Sequence, residues 1–161
     1  MKLLNYHTYF NVLYYIDRAT DRFCEQEKNR YNNNIDVQAI IPEKCYKKIY
    51  SEEDQEDRYK LCVTSPIRIL YTFGNVEEVK EYSVTPLCEN EEFIAAAEKK
   101  NRDYVKYDDN NIDEIIKRVE EEKRLTNQAF RIIFGEEPEI TPEDQELTMA
   151  INQLRALRIA H

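Results

Sequence analysis

The sequence predicts an α+β fold: an N-terminal helix, a small antiparallel sheet of about three to five strands, then two or three C-terminal helices. Three observations predict it. Residues 5–31 repeat apolar side chains at three- and four-residue steps, the period of one buried helix face. Residues 36–84 switch to short alternating runs separated by turn residues. Beyond Pro86 the helical period returns, with cap residues where a helix start and stop require them.

In the first segment, Tyr6, Phe10, Leu13, Ile16, Thr20, Phe23 and Glu27 mark the stripe, and Tyr9 and Cys24 widen it. Asn32, Asn33 and Asn34 end this helix, because asparagine tolerates the left-handed backbone of a helix stop. Residues 36–41 mix β-branched and polar side chains before Pro42, and residues 45–50 alternate weakly, so both read as strands. Residues 51–57 contain no apolar side chain and read as an acidic surface loop. A strand starts at Tyr59. Ile67, Ile69, Tyr71 and Phe73 then give the cleanest alternation in the chain. Gly74-Asn75 turns the chain so that Val79–Val84 returns antiparallel, and Pro86 closes the strand.

Glu91–Lys100 is a short helix of good helix formers, and Tyr104–Tyr107 reads as a short edge strand. Asn111 is expected to cap the next helix, with Glu114 at the capping-box position. Its stripe of Ile112, Ile115, Ile116 and Val119 shifts phase to Leu125, Ala129, Ile132 and Ile133, which predicts a bend or a change of packing partner near Glu122. Glu114–Arg118 and Glu120–Arg124 have the spacing of helix-supporting ion pairs. Gly135 suits the position just past the helix end, with Pro138 beyond it. Thr141 caps the last helix, Pro142 takes its first position, and Glu143 and Asp144 face the positive end of the dipole. Leu147, Ala150, Ile151, Leu154 and Leu157 form a narrow stripe, the kind that docks into a groove of its own domain or of a neighbour. Residues 1–161 are expected to form a single α+β domain, with 141–161 a terminal helix that docks on a partner.

A chain of 161 residues can bury a full core without staples. No apolar run reaches the ~20 residues of a membrane span. Asn5, His7, Thr8 and Asn11 interrupt any apolar leader segment, so the protein is expected inside a cell or a virus particle, not secreted and not in a membrane. A net charge of −9 repels phosphate backbones, so nucleic acid is not expected as a partner. The best basic stripe, Arg155, Arg158 and His161, is explained by the cation preference of a helix C-terminus. Cys24, Cys45, Cys62 and Cys88 lack the close spacing of a zinc site and read as reduced thiols. The bias toward Asn, Tyr, Ile and Lys, with scarce Gly, Pro, Ala and Trp, is what an AT-rich genome writes.

Gly74 and Gly135 are the only glycines. A P-loop, a dinucleotide fingerprint and a nucleophile elbow all need glycine, so none is present. His7 is the only internal histidine, which leaves little material for Ser-His-Asp, Cys-His or multi-histidine zinc chemistry. The acidic run at 52–57 lacks the glycine of a calcium loop, and Asp108-Asp109-Asn110 is explained more simply as a helix entry than as a cation site. No catalytic, cofactor-binding or metal-binding residues are assigned. Twelve tyrosines are more than one small core needs, and tyrosine favours interfaces through its large area and polar tip. Tyr14 and Tyr15 beside the first stripe, Tyr46, Tyr50 and Tyr59 near the acidic loop, and Leu147, Ile151 and Leu154 on the last helix are the candidate partner-binding residues.

The functional expectation is a non-enzymatic assembly subunit of a larger homo- or hetero-oligomeric complex with protein partners, including the case of a phage or virus structural component. One alternative is a small acidic inhibitor that mimics nucleic acid and blocks a basic groove, carried by the acidic runs at 52–57 and 136–139. Such a mimic needs carboxylates in a row along one face. A second alternative is an enzyme that uses carboxylates or a metal, which would need a buried Asp/Glu pair in a deep pocket.

Overall fold

Asn5 starts the first helix by accepting the backbone N–H of Thr8 on its side chain at 2.8 Å. The computed structural model describes residues 3–41, 46–61, 66–100, 106, 108 and 110–160, with only the backbone of Tyr46, Leu61 and residues 158–160. The first helix, α1 (Tyr6–Arg30), stops where Asn32 and Asn33 adopt φ of 55° and 62°, left-handed values that asparagine tolerates best after glycine. Five antiparallel strands follow among the described residues: β1 (Asp36–Ile40), β2 (Tyr46–Ser51), β3 (Glu56–Leu61), β4 (Ile67–Phe73) and β5 (Val76–Tyr82). Then come α2 (Thr85–Cys88), α3 (Glu91–Lys99), α4 (Ile112–Phe134) and α5 (Pro142–Ala160). The architecture is α+β, as the periodicities indicate.

The strands divide into two sheets. β1, β4 and β5 form a three-stranded sheet with β4 central, and β2–β3 is a separate hairpin. Val37 faces Tyr71 and Ala39 faces Ile69 across β1–β4. Gly74 (φ 60°) and Asn75 join β4 to β5 as a two-residue hairpin in which the first central residue alone takes positive φ, the position that needs glycine. The acidic run is shorter as a loop than its composition suggests. Glu56 and Asp57 pair with Ser51 and Tyr50, so only 52–55 turn, with Gln55 at φ 56°. The hairpin is tied to the body by two 2.9 Å backbone hydrogen bonds between Leu4 and Tyr59.

The core joins one face of α1, the inner face of β4, and α3 and α4. Tyr15, Ile16, Ala19 and Phe23 of α1 pack in one cluster with Ile67, Ile69 and Tyr71 of β4, Phe93 and Ala97 of α3, and Leu125, Ala129 and Phe130 of α4. Phe23 lies parallel on Phe134 at 4.1 Å and edge-on to Tyr82 at 5.3 Å, which ties α1, α4 and β5 together. The buried face of α1 is rotated at its N-terminal end relative to the expected stripe. Thr8, Asn11, Val12 and Tyr15 are buried, whereas Tyr6 and Phe10 are 62% and 47% exposed. The cause is α3, which is close enough for Asn11 Nδ2 to donate to Ala97 O at 2.9 Å and so takes the side of α1 that Asn11 occupies.

Other departures have local reasons. Pro86, expected only to stop the strand, sits in the first turn of α2, where its missing N–H costs nothing. Asn111 precedes α4 but makes no side-chain cap. Its Oδ1 accepts from Asp108 N at 2.9 Å and its Nδ2 donates to Lys106 O at 2.8 Å, so it folds the incoming loop instead. Arg124 pairs with Glu121, not Glu120. α4 runs unbroken through Glu122 and ends at Gly135 (φ 71°), whose N–H donates to Arg131 O at 2.9 Å. The edge strand expected at Tyr104–Tyr107 falls, Lys106 apart, outside the described residues.

Candidate protein interface

α5 begins with a reciprocal cap. Asp144 N donates to Thr141 Oγ1 at 3.1 Å, and Thr141 N donates to Asp144 Oδ2 at 3.3 Å. The helix is fastened to the body by polar contacts near its ends. At its start, Arg22 of α1 donates to Asp144 at 2.7 Å, to Glu139 O at 3.1 Å and to Asn127 of α4 at 2.8 Å. Near its end, Arg155 forms an ion pair with Glu120 of α4. The connecting segment is strapped down as well. Gln26 Oε1 accepts from Glu139 N at 2.8 Å, and Arg30 pairs with Glu136 and Glu139, each at 3.1 Å.

Between these fastenings α4 and α5 leave an open cleft of roughly 380 Å³, lined by Val119, Lys123, Asn127, Leu147 and Ile151 among others. No described α5 side chain belongs to the buried core. Leu147 is 40% exposed, Met149 61% and Leu157 58%, while Ile151 and Leu154 are half-buried. The stripe read from the sequence therefore exists, and much of it faces solvent. Since Arg22 is the residue that joins α1, α4 and α5, Arg22→Ala should raise amide exchange in residues 142–157 by at least tenfold and leave β4 protection unchanged, as read by hydrogen–deuterium exchange.

The tyrosines divide differently from expectation. Tyr15 is fully buried, and its hydroxyl donates to Glu122 at 3.3 Å, so it belongs to the core and presents nothing to a partner. Tyr14 is half-buried, edge-on to Tyr15 at 5.2 Å and beneath the Arg18 guanidinium at 5.8 Å. Tyr59 is half-buried with one face stacked on Tyr9 at 3.9 Å. Tyr50 is 60% exposed, and the Tyr46 side chain lies outside the described residues. The exposed aromatic pair that sequence reasoning missed is Tyr6 and Phe10, stacked at 6.1 Å beside Tyr59. They lie on the period of the buried stripe, so nothing in their spacing marks them as surface.

One partly buried polar joint holds α1, α3 and α4 together. The Lys100 side chain is 7% exposed, with its ammonium 3.4 Å from Glu122 and 3.3 Å from Arg118 O. Burial alone would raise the Glu122 carboxyl, but hydrogen bonding from Tyr14, the Lys100 charge and Tyr15 outweigh it and leave it below the ordinary carboxylate value. His7 Nε2 lies 2.6 Å from Lys100 O and 3.2 Å from Asn11 Nδ2; a carbonyl only accepts and an amide nitrogen only donates, so Nε2 serves one of the two, and the shorter contact is to Lys100 O. These groups satisfy one another across three helices, an arrangement that positions the elements. A second buried group is Glu27, paired with Arg30 at 3.0 Å. Burial, and then the Glu27 charge, push the Tyr71 hydroxyl above its usual range.

Among the described residues, no three His, Cys, Asp or Glu side chains converge as a metal ion would require. Cys24 and Cys88 carry thiols. Burial, with Asp21 adding to it, pushes the Cys24 thiol up to about 11. At pH 8 its thiolate fraction falls roughly 100-fold below that of an ordinary thiol, and alkylation at Cys24, mapped by mass spectrometry, should slow in proportion. Several carboxylates of the acidic runs are paired within the chain. Arg58 pairs with Asp54 and Glu56, Lys48 with Asp57, and Arg131 with Glu137, besides the Arg30 pairs above. Those carboxylates do not stand in the unpaired row that a phosphate mimic presents. No helix among the described residues is long and apolar enough to cross a membrane. Comparison of the chain with protein-family models, with curated proteins and with solved structures finds no match.

Proposed function

We propose that the chain is a non-enzymatic subunit that joins a protein assembly through α5. The observation that carries this reading is the partly exposed apolar stripe of α5 on a body whose core is complete without it. Burial of apolar area is the main favourable term in protein association, and a helix with an exposed stripe is a common docking element. Two other exposed surfaces are less suited. The outer strand β5 carries Glu77, Glu78, Lys80 and Glu81, charges that discourage strand addition. The Tyr6–Phe10 pair is small and backed by Tyr9 and Tyr59 of its own chain. The localisation that goes with this reading is inside a cell or a particle.

Native mass spectrometry of the full chain, isolated untagged from cells that make it, tests the reading. Complexes of fixed stoichiometry are the expected result. A lone monomer across the accessible concentration range overturns it.

A further inference from the structure

We infer that the occupant of the α5 face is α5 of a second copy, packed antiparallel about a two-fold axis; this rests on the assembly reading above. Glu143, Leu147, Ala150, Leu154 and Leu157 follow one another at four- and three-residue steps, the seam spacing of a two-helix coil. All but the half-buried Leu154 are exposed. Leu147 lines the cleft with α4 beside Thr148, Ile151, Asn152 and Arg155, whereas Glu143, Ala150, Leu154 and Leu157 lie outside that lining, so the seam runs along the edge of the cleft and away from it toward the helix end.

Charge selects both the partner and its direction. Besides Asp144 and Arg155, which pair with Arg22 and Glu120 of their own chain, the first two turns of α5 carry Glu143 and Glu146, and the sequence of the last two carries Arg158. A parallel pair would set Glu143 against Glu143 at one end and arginine against arginine at the other. An antiparallel pair sets the acidic end of each helix against the basic end of its mate and opposes the two helix dipoles. The side-chain sizes agree with that direction. With Leu147 across from Leu157, Ala150 falls across from Leu154, so a small residue meets a large one in each inner layer. One helix thus supplies both halves of a self-complementary surface, which is what a two-fold interface requires. A seam of about four turns is smaller than a standard interface of ~800 Å² per partner, so the dissociation constant is expected on the order of micromolar.

Light scattering on the full chain over roughly 1–200 μM spans that range. The mass is expected to rise from the monomer value of 19.4 kDa toward twice that as concentration increases. Leu157→Glu, at an exposed seam position, should hold the chain at monomer mass throughout, and Met149→Glu, similarly exposed but off the seam, should leave dimerisation unchanged. Mixed Leu147→Cys and Leu157→Cys chains should cross-link 147 to 157, mapped by mass spectrometry. Links of 147 to 147 would show parallel pairing and overturn the inference. A dimer that survives Leu157→Glu also overturns it but leaves the assembly reading standing, because the copies then meet by another face. A chain monomeric at every concentration overturns the inference, and the complexes isolated from its own cells then decide the assembly reading separately.

Discussion

Phe23→Ala is expected to lower stability by about 3–5 kcal/mol, the usual cost of truncating a buried aromatic side chain. Phe23 is 2% exposed and contacts three rings on two other elements, α4 and β5: it stacks on Phe134 at 4.1 Å, lies 5.9 Å from Phe130, and meets Tyr82 edge-on at 5.3 Å. Removing the ring deletes those contacts and opens a cavity that α1, α4 and β5 cannot close without moving together. A domain of this size holds only about 5–15 kcal/mol in total, so the loss is a large share. The melting temperature should fall by roughly 10–15 °C. Phe23→Leu, which keeps most of the volume, should cost less than half as much in the same urea titration. Equal costs for the two variants would show that ring stacking, not cavity volume, dominates at this site.

Lys100→Met carries the second large effect. It leaves Glu122, whose side chain is 26% exposed, without its counter-charge beside Tyr14 and Tyr15. Breaking a fully buried pair costs 3–5 kcal/mol, and partial exposure of Glu122 reduces that to about 2–3 kcal/mol at pH 7. The pH dependence identifies the cause. In the parent protein the Glu122 pKa is depressed by folding. Its contribution is therefore fully present above the unfolded carboxylate value, near 4.5, and is lost as pH falls through the lower folded value. In the variant the same carboxyl lacks the ammonium and protonates more readily. The stability gap between the two proteins should be widest near neutrality and should narrow below about pH 4.5. A gap that stays constant with pH would mean that Lys100 acts through packing of its alkyl chain and not through its charge. Its backbone oxygen, which accepts from Asn11 and lies 2.6 Å from His7 Nε2, is unaffected by the substitution.

What the sequence made legible is what local physics decides. Alternation at Ile67, Ile69 and Tyr71 needs no partner to be read, and those three side chains are the buried face of β4. Gly74 and Gly135 adopt the positive φ that their positions demand, and Thr141 with Pro142 opens α5. What stayed hidden depends on partners far along the chain. Asn11 is buried because a carbonyl 86 residues away receives its amide. The 136–139 run is composed like a free acidic turn, but Gln26 and Arg30, more than 100 residues earlier, hold it down. Tyr15 and Tyr6 differ in fate for the same reason. A helix covered by both α3 and α4 buries a face wider than one stripe, and the composition of α1 alone does not say on which side that face ends. For α5 the stripe itself was readable. That its own body leaves it partly exposed was not, because that follows from fastenings at Arg22 and Arg155 that hold the helix without fully covering it.

The central claim is that the α5 seam serves association and not the chain's own stability. It is tested most directly by measuring the melting temperature and the solution mass of Leu157→Glu beside the parent protein. The melting temperature should be read at low micromolar concentration, so that dimer formation does not itself raise the parent's value. The account expects a melting temperature within about 2 °C of the parent, since exposed substitutions cost little, together with loss of the concentration-dependent rise in mass. A fall of more than about 6 °C, equivalent to roughly 2 kcal/mol or more, would place Leu157 in the chain's own core, and an undiminished rise in mass would remove α5 from the interface; either result contradicts the claim.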